Sequence, residues 1–113
     1  MSNPKFWIVV KIKPNQDKVA FRNLEQQNFE FFQPRFKTIS RVKNKFKEVI
    51  KPIFPGYIFV AINLKEKNWH KLNNTRGISN VIVFGNEVSL ISCELIEELK
   101  HKFSLSNNQN KTM

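Results

Sequence analysis

The chain has 113 residues and a formal net charge of +10, from 19 Lys and Arg against nine Asp and Glu. Eleven Phe and two Trp supply bulk for one domain with one core. The single cysteine, Cys93, excludes an internal disulfide and a thiolate metal cluster, and apolar runs of four or five residues exclude a membrane-spanning helix, which needs about 20.

Phe6 to Ile12 alternates as a strand, with Phe6, Ile8, Val10 and Ile12 on one face and Trp7, Val9 and Lys11 on the other. Both faces are largely apolar, which predicts a central strand covered on each side. Lys13-Pro14-Asn15 ends it. Asn15 is the expected N-cap of a helix running to about Gln27, with Ala20, Phe21 and Leu24 as its apolar stripe and Lys18, Arg22 and Glu25 in water.

Phe31 to Val42 reads as a second strand, bent near Pro34. Lys43-Asn44-Lys45 is the expected tip of a hairpin, and Phe46 to Lys51 returns as the third strand. Residues 35 to 51 hold seven basic groups and one acid, Glu48, so much of this hairpin belongs in water. Pro52 and Pro55 bracket Phe54, and Gly56 suits a tight turn. Tyr57 to Ile62 is the next strand, with Ile58, Val60 and Ile62 on one face and Tyr57, Phe59 and Ala61 on the other.

Asn63 is expected to cap a short helix over residues 65 to 73, anchored by Trp69 and Leu72. Asn74-Thr75-Arg76-Gly77 is a turn, and Ile78 to Phe84 a short strand ended by Gly85-Asn86. Val88 to Ile91 leads to Ser92, an expected N-cap, with Ile91 and Ile96 at the spacing of a hydrophobic staple. The last helix carries Leu95, Ile96, Leu99 and Phe103 on one stripe, with Glu98 and Lys102 placed to pair. Ser104 to Met113 is polar and expected to be disordered. The division is one domain over residues 1–103 and a tail over 104–113. The element order predicts an α+β fold: an antiparallel sheet between helices, with a basic hairpin projecting.

Three candidate sites follow. The Tyr57/Phe59 face is either core covered by the domain's own helices or an open aromatic groove for a partner's helix. In the second case Phe54, Pro55, Tyr57 and Phe59 form the dock, with Lys11 on the same face. The hairpin's Arg35, Lys37, Arg41 and Lys43 either solvate an edge or contact phosphates or an acidic partner. Arg76 on its turn is placed to reach a phosphate or guanine, with Lys13 sharing that surface. His70 and His101 lie on separate predicted helices, Glu97 and Glu98 diverge around one helix, and Cys93 has no base. No catalytic, metal or cofactor site is expected, and the chain does not read as an enzyme. With no apolar leader, a cytoplasmic location is expected.

The order of Phe6-Trp7-Ile8-Val9-Val10, Phe54-Pro55-Gly56-Tyr57-Ile58-Phe59-Val60, Thr75-Arg76-Gly77-Ile78 and Val83-Phe84-Gly85 resembles the N-terminal domain of the NusG family of transcription elongation factors. The likeness covers roughly residues 6 to 103 and looks closest to the specialised branch typified by RfaH. It implies a four-stranded antiparallel sheet flanked by three helices, with a protruding basic hairpin. It implies docking on the clamp helices of RNA polymerase through Phe54, Pro55, Tyr57 and Phe59, bridging of the DNA cleft, and suppressed pausing and antitermination. It implies non-template DNA contact at Lys13, Asn23, Thr75 and Arg76. Lys11 departs from the branch, whose member is aromatic there, and Asn23 replaces a DNA-reading histidine. Asn68-Trp69-His70-Lys71 replaces the threonine-rich segment that touches the opposite pincer. The family's KOW barrel, which contacts the ribosome or Rho, has no counterpart in this sequence, so residues 104 to 113 fit the start of a linker in a cut piece or the end of a short protein. A monomer is expected, with no membrane partner. The alternative is a general nucleic-acid-binding domain that uses the basic hairpin without polymerase.

Overall fold

A computed structural model of the chain describes residues 5–63, 68–84 and 87–103. The expectations for residues 104 to 113 and for Gly85-Asn86 lie outside these.

The first strand, β1 (Lys5–Ile12), is central, as its two apolar faces require. It pairs antiparallel with β5 (Tyr57–Asn63) from Lys5↔Asn63 to Lys11↔Tyr57, and on its other edge with β6 (Ile78–Val81). The short β2 (Phe31–Phe32) joins β5, giving a four-stranded sheet in the order β2-β5-β1-β6. The expected second strand is therefore two elements. Gln33-Pro34 breaks it, and Pro34, which has no amide proton, accepts a bond from Ile53 N instead. Beyond the break, β3 (Arg35–Val42) and β4 (Lys45–Pro52) pair only with each other.

The root of this ribbon, at Arg35, Ile50 and Pro52, adjoins Phe21, and the molecule extends 52 Å in one direction against 28 Å in the others. Its turn is two residues, Lys43-Asn44, rather than three. Both have positive φ, 51° and 65°, as a type I′ hairpin turn requires.

One sheet face is covered by α1 (Asp17–Gln26), through Ala20, Phe21 and Leu24, and by the 3-10 helix Asn68–Asn74, through Leu72 and Trp69. They enclose Ile8, Val10, Ile12, Ile58, Val60 and Ile62, the face predicted by alternation. The opposite face carries Trp7, Phe32 and Phe59, covered by Ile96 and Leu99 of α2 (Cys93–Lys102).

Several local expectations are corrected. Asn15 sits at φ 63° in the turn, and the helix boundary is Gln16, with no side-chain cap. Asn63 is the last residue of β5 and the described part of the next helix is Asn68–Asn74; the expected cap and helix start at residue 65 lie outside the described residues. The strand expected over Ile78 to Phe84 breaks at Ile82, whose amide bonds to Val9 O. β7 (Val83–Phe84) and β8 (Glu87–Val88) then form a separate hairpin. Ser92 caps α2 as expected, accepting from Leu95 N at 3.2 Å. Leu95 itself is exposed, because the stripe that meets the sheet is Ile96 and Leu99. The Glu98–Lys102 pair is replaced by Lys100, which bridges Glu97 and Glu30.

Candidate docking face and nucleic-acid surface

The second sheet face is only half covered. α2 begins at the Lys5 end of β1, where Cys93 Sγ lies 3.2 Å from Lys5 O. Its far end reaches Glu30 and Phe32, with Lys100 3.5 Å from the Glu30 carboxylate and 5.9 Å from the Phe32 ring. Trp7 is held beneath, its ring 5.0 Å from Lys100 Nζ and 5.5 Å from Lys5 Nζ. Burial alone would raise the Glu30 pKa, but the hydrogen bond and charge of Lys5, and then Lys100, outweigh it and hold the carboxyl below its ordinary value.

The uncovered half lies at the other end of the same strands. Val9, Phe54, Tyr57, Ile58 and Phe59 line an apolar hollow of about 280 Å³ there. Tyr57 is 37% exposed and Phe54 46%, and Lys11, directly opposite Tyr57 in the register, is exposed beside them. A turn fixes Phe54: Tyr57 N donates to Phe54 O at 3.1 Å across Pro55-Gly56. Proline second and a positive-φ glycine third (Gly56, φ 87°) is the pattern of a type II turn. Ile12 N donates to Gly56 O at 2.8 Å, tying the turn to the end of β1.

Phe59 differs from its expected neighbours. It is 9% exposed, between Phe32 (centroids 6.3 Å apart) and the edge of Phe54 (6.2 Å). It belongs to the core beneath the hollow, while Phe54, Pro55 and Tyr57 are presented to solvent. Val9 was not singled out as a lining residue, although its alternation with Trp7 and Lys11 already put it on this face.

A second cluster forms around α1. Lys13 N donates to Gly77 O at 2.9 Å, so the end of β1 and the Thr75-Arg76-Gly77 turn are joined. Lys13 and Arg76 are both exposed there. Gly77 has φ 90°, and a Cβ on it would stand 2.5 Å from Ala20 N, so only glycine lets the turn approach α1 this closely. Thr75 is buried. Its hydroxyl donates to Lys71 O at 3.0 Å and accepts from Gln27 Nε2 at 2.9 Å. The threonine expected to face DNA thus braces the turn, with Gln27, a residue sequence reasoning missed, as its partner. Asn23 is half-buried, and its amide donates to Val19 O at 2.7 Å.

The hairpin cations are separated from this cluster by α1. Register places Arg35, Lys37 and Arg41 on one ribbon face, with Lys43 in the turn. Lys45, Lys47 and Lys51 lie on the other face, which carries Thr38 and Ser40 and no acid. Lys37 pairs with Glu48 at 3.7 Å. Arg35 is half-buried at the root; burial lowers the pKa of its guanidinium and Asp17 opposes the shift. It remains a cation.

The histidines lie apart, as expected. His70 stacks on Trp69 in the 3-10 helix, and His101 is exposed on α2. Among the described residues no group of three or more His, Cys, Asp or Glu could hold a metal ion, and no helix is long and apolar enough to cross a membrane.

Fold and site together define an α+β domain whose central sheet keeps half of one face bare beside a glycine-proline turn. The sequence model of the family described as transcription termination factor NusG matches residues 5–100, and the chain belongs to that family. It is 26% identical over 104 residues to proteins named transcription termination/antitermination protein NusG from Staphylococcus epidermidis and Staphylococcus aureus. The alignments cover 91% of this chain and 57% of those relatives.

Proposed function

We propose that this domain acts in transcription elongation and antitermination by docking on RNA polymerase. The observation that carries the reading is the bare half-face, where Phe54 and Tyr57 stand exposed over a hollow floored by Phe59. An apolar hollow with aromatic walls suits the apolar stripe of a helix, and the clamp helices of the polymerase are the proposed occupant. Lys11 on the rim adds a partner for an acidic residue of that helix. Lys13 and Arg76, on the far side of the sheet, are offered to the non-template DNA strand, with Asn23 and Thr75 supporting that surface. This arrangement follows the specialised branch of the family.

The mechanism is non-covalent and needs no catalytic residue. A protein that bridges the two sides of the DNA cleft favours the closed clamp by its differential affinity for that state. A coupling of about 1 to 3 kcal/mol is typical and changes pausing appreciably. Contact with the ribosome or Rho is not assigned to this domain.

The test is capture of purified polymerase by the wild-type domain and by a Phe54→Ala, Tyr57→Ala variant. Both side chains are exposed, so the variant keeps its core, which Phe59→Ala would not. Wild type retains polymerase and shortens dwell at defined pause sites, and the variant loses both effects. Equal retention by the two proteins refutes the docking surface.

A further inference from the structure

Charge alone does not account for the β3–β4 ribbon. Residues opposite each other in its register share a face, and one face pairs Lys37 with Ile50, Ile39 with Glu48, and Arg41 with Phe46. Every pair sets an apolar side chain beside a charged one, and the apolar member changes strand at each step. Ile50, Ile39 and Phe46 therefore form one zigzag line toward the tip. Ile39 is 69% and Phe46 74% exposed. At its root the line enters a crevice of about 380 Å³ between the ribbon and α1, where Phe21, Ile50 and Pro52 are flanked by Lys18 and Arg35. The Arg35 guanidinium lies 6.0 Å from the Phe21 ring centroid.

An apolar, partly aromatic line bordered by cations is the chemistry of a single-strand binding surface: bases stack on the apolar groups while phosphates meet the charges. Lys18, Arg35, Lys37 and Arg41 outnumber Asp17 and Glu48 along it. Glu48 is the ribbon's one acid, and it stands on this face rather than on the lysine face. A carboxylate repels phosphate, but it accepts a hydrogen bond from a ribose 2′-hydroxyl, the group that distinguishes RNA from DNA.

We propose that the trough formed by α1 and the Ile50–Ile39–Phe46 line binds an unpaired RNA strand. The site is separate from the Lys13 and Arg76 surface across α1, and it does not depend on docking to polymerase.

The experiment uses the full chain without polymerase and fluorescence anisotropy at fixed salt. The probes are labelled polyuridine RNA of about 12 nucleotides, within the range of a small single-strand module, the matching polythymidine DNA, and an RNA duplex of equal length. The single RNA strand binds tightest. Phe46→Ser, a change at an exposed position, weakens it by on the order of fivefold or more, the effect of losing one stacking platform. Arg41→Gln reduces the salt dependence by about one counterion. Glu48→Gln removes the preference for RNA over DNA. Thermal melts confirm that the variants are folded. Wild-type affinity in Phe46→Ser, or equal affinity for duplex and single strand, overturns the proposal. So does binding of an acidic amphipathic helical peptide to this face by a protein that ignores the RNA.

Discussion

Two glycines share nearly the same backbone angle and differ in what surrounds them, which makes their alanine variants a controlled pair. Gly56 has φ 87° and Gly77 φ 90°. A Cβ at Gly56 meets nothing within 4 Å. At Gly77 it would lie 2.5 Å from Ala20 N, 2.7 Å from Ala20 Cα and 2.9 Å from Ala20 Cβ. Left-handed geometry costs an L-residue about 1–2 kcal/mol, and Gly56→Ala carries only that cost. Gly77→Ala carries it and also forces the turn away from the backbone of α1, an overpacking cost of about 1–3 kcal/mol. The expected losses are thus about 1–2 kcal/mol for Gly56→Ala and about 2–5 kcal/mol for Gly77→Ala. Urea denaturation followed by tryptophan fluorescence measures both. Because Gly77 O accepts from Lys13 N, Gly77→Ala also displaces Arg76 relative to Lys13, and on the proposed DNA surface this should weaken DNA binding at fixed salt. Equal midpoints for the two variants would refute the close-approach argument and leave Gly77 as an ordinary turn residue.

Ser92→Ala removes the side-chain cap of α2 and should cost about 1 kcal/mol, read as a lower urea midpoint with an unchanged slope; an unchanged midpoint contradicts the cap. Thr75→Val keeps the shape but removes the bonds to Lys71 O and from Gln27 Nε2, with an expected loss of about 1–2 kcal/mol in the same assay. Glu30→Gln tests the Lys5–Glu30–Lys100 cluster through its pH dependence. The folded-state pKa of Glu30 is depressed, so its contribution is present above the unfolded value and disappears as pH falls through the folded one. The Lys5 and Glu30 side chains are about half exposed, so the loss at neutral pH is about 0.2–1 kcal/mol and shrinks with salt. Wild type and variant should converge in strong acid. A difference that stayed constant with pH would mean the effect is packing rather than charge.

The main sheet was legible because its two central strands are largely apolar on both faces. Phe6 to Ile12 and Tyr57 to Ile62 are apolar on each side, and alternation sorted Ile8, Val10 and Ile12 from Trp7 and Val9 correctly. Ser92 was legible because capping is local. What failed was local pattern overridden by distant partners. Phe31 to Val42 reads as one strand, yet Phe31 and Phe32 pair with β5, while Arg35 onward pairs with β4. Leu95 has the right helical spacing but points past the edge of the sheet, which no periodicity encodes. At the site, the Phe-Pro-Gly-Tyr turn located the hollow. The roles of Gln27 and Thr75 were hidden because their bond joins residues 48 apart in sequence.

The openness of the hollow follows from how α2 lies. It starts beside Lys5 on β1 and ends near Glu30 and Phe32 on β2, so it crosses the strands rather than following them. A helix is about 10 Å across, and a strand advances about 3.4 Å per residue. One crossing helix therefore covers about three residues along each strand. Placed over Trp7, it reaches only part of the row of Val9 with Phe59 and leaves the row of Lys11 with Tyr57 uncovered. Phe59 lies at the boundary and is closed by Phe32 on one side and Phe54 on the other. Any occupant of the hollow then packs on Phe54 and Tyr57 while Phe59 supports it from below. The same placement makes α2 a determinant of the proposed dock: loosening α2 from the Trp7 row would enlarge the apolar surface and change the shape of the hollow, even with every lining residue intact.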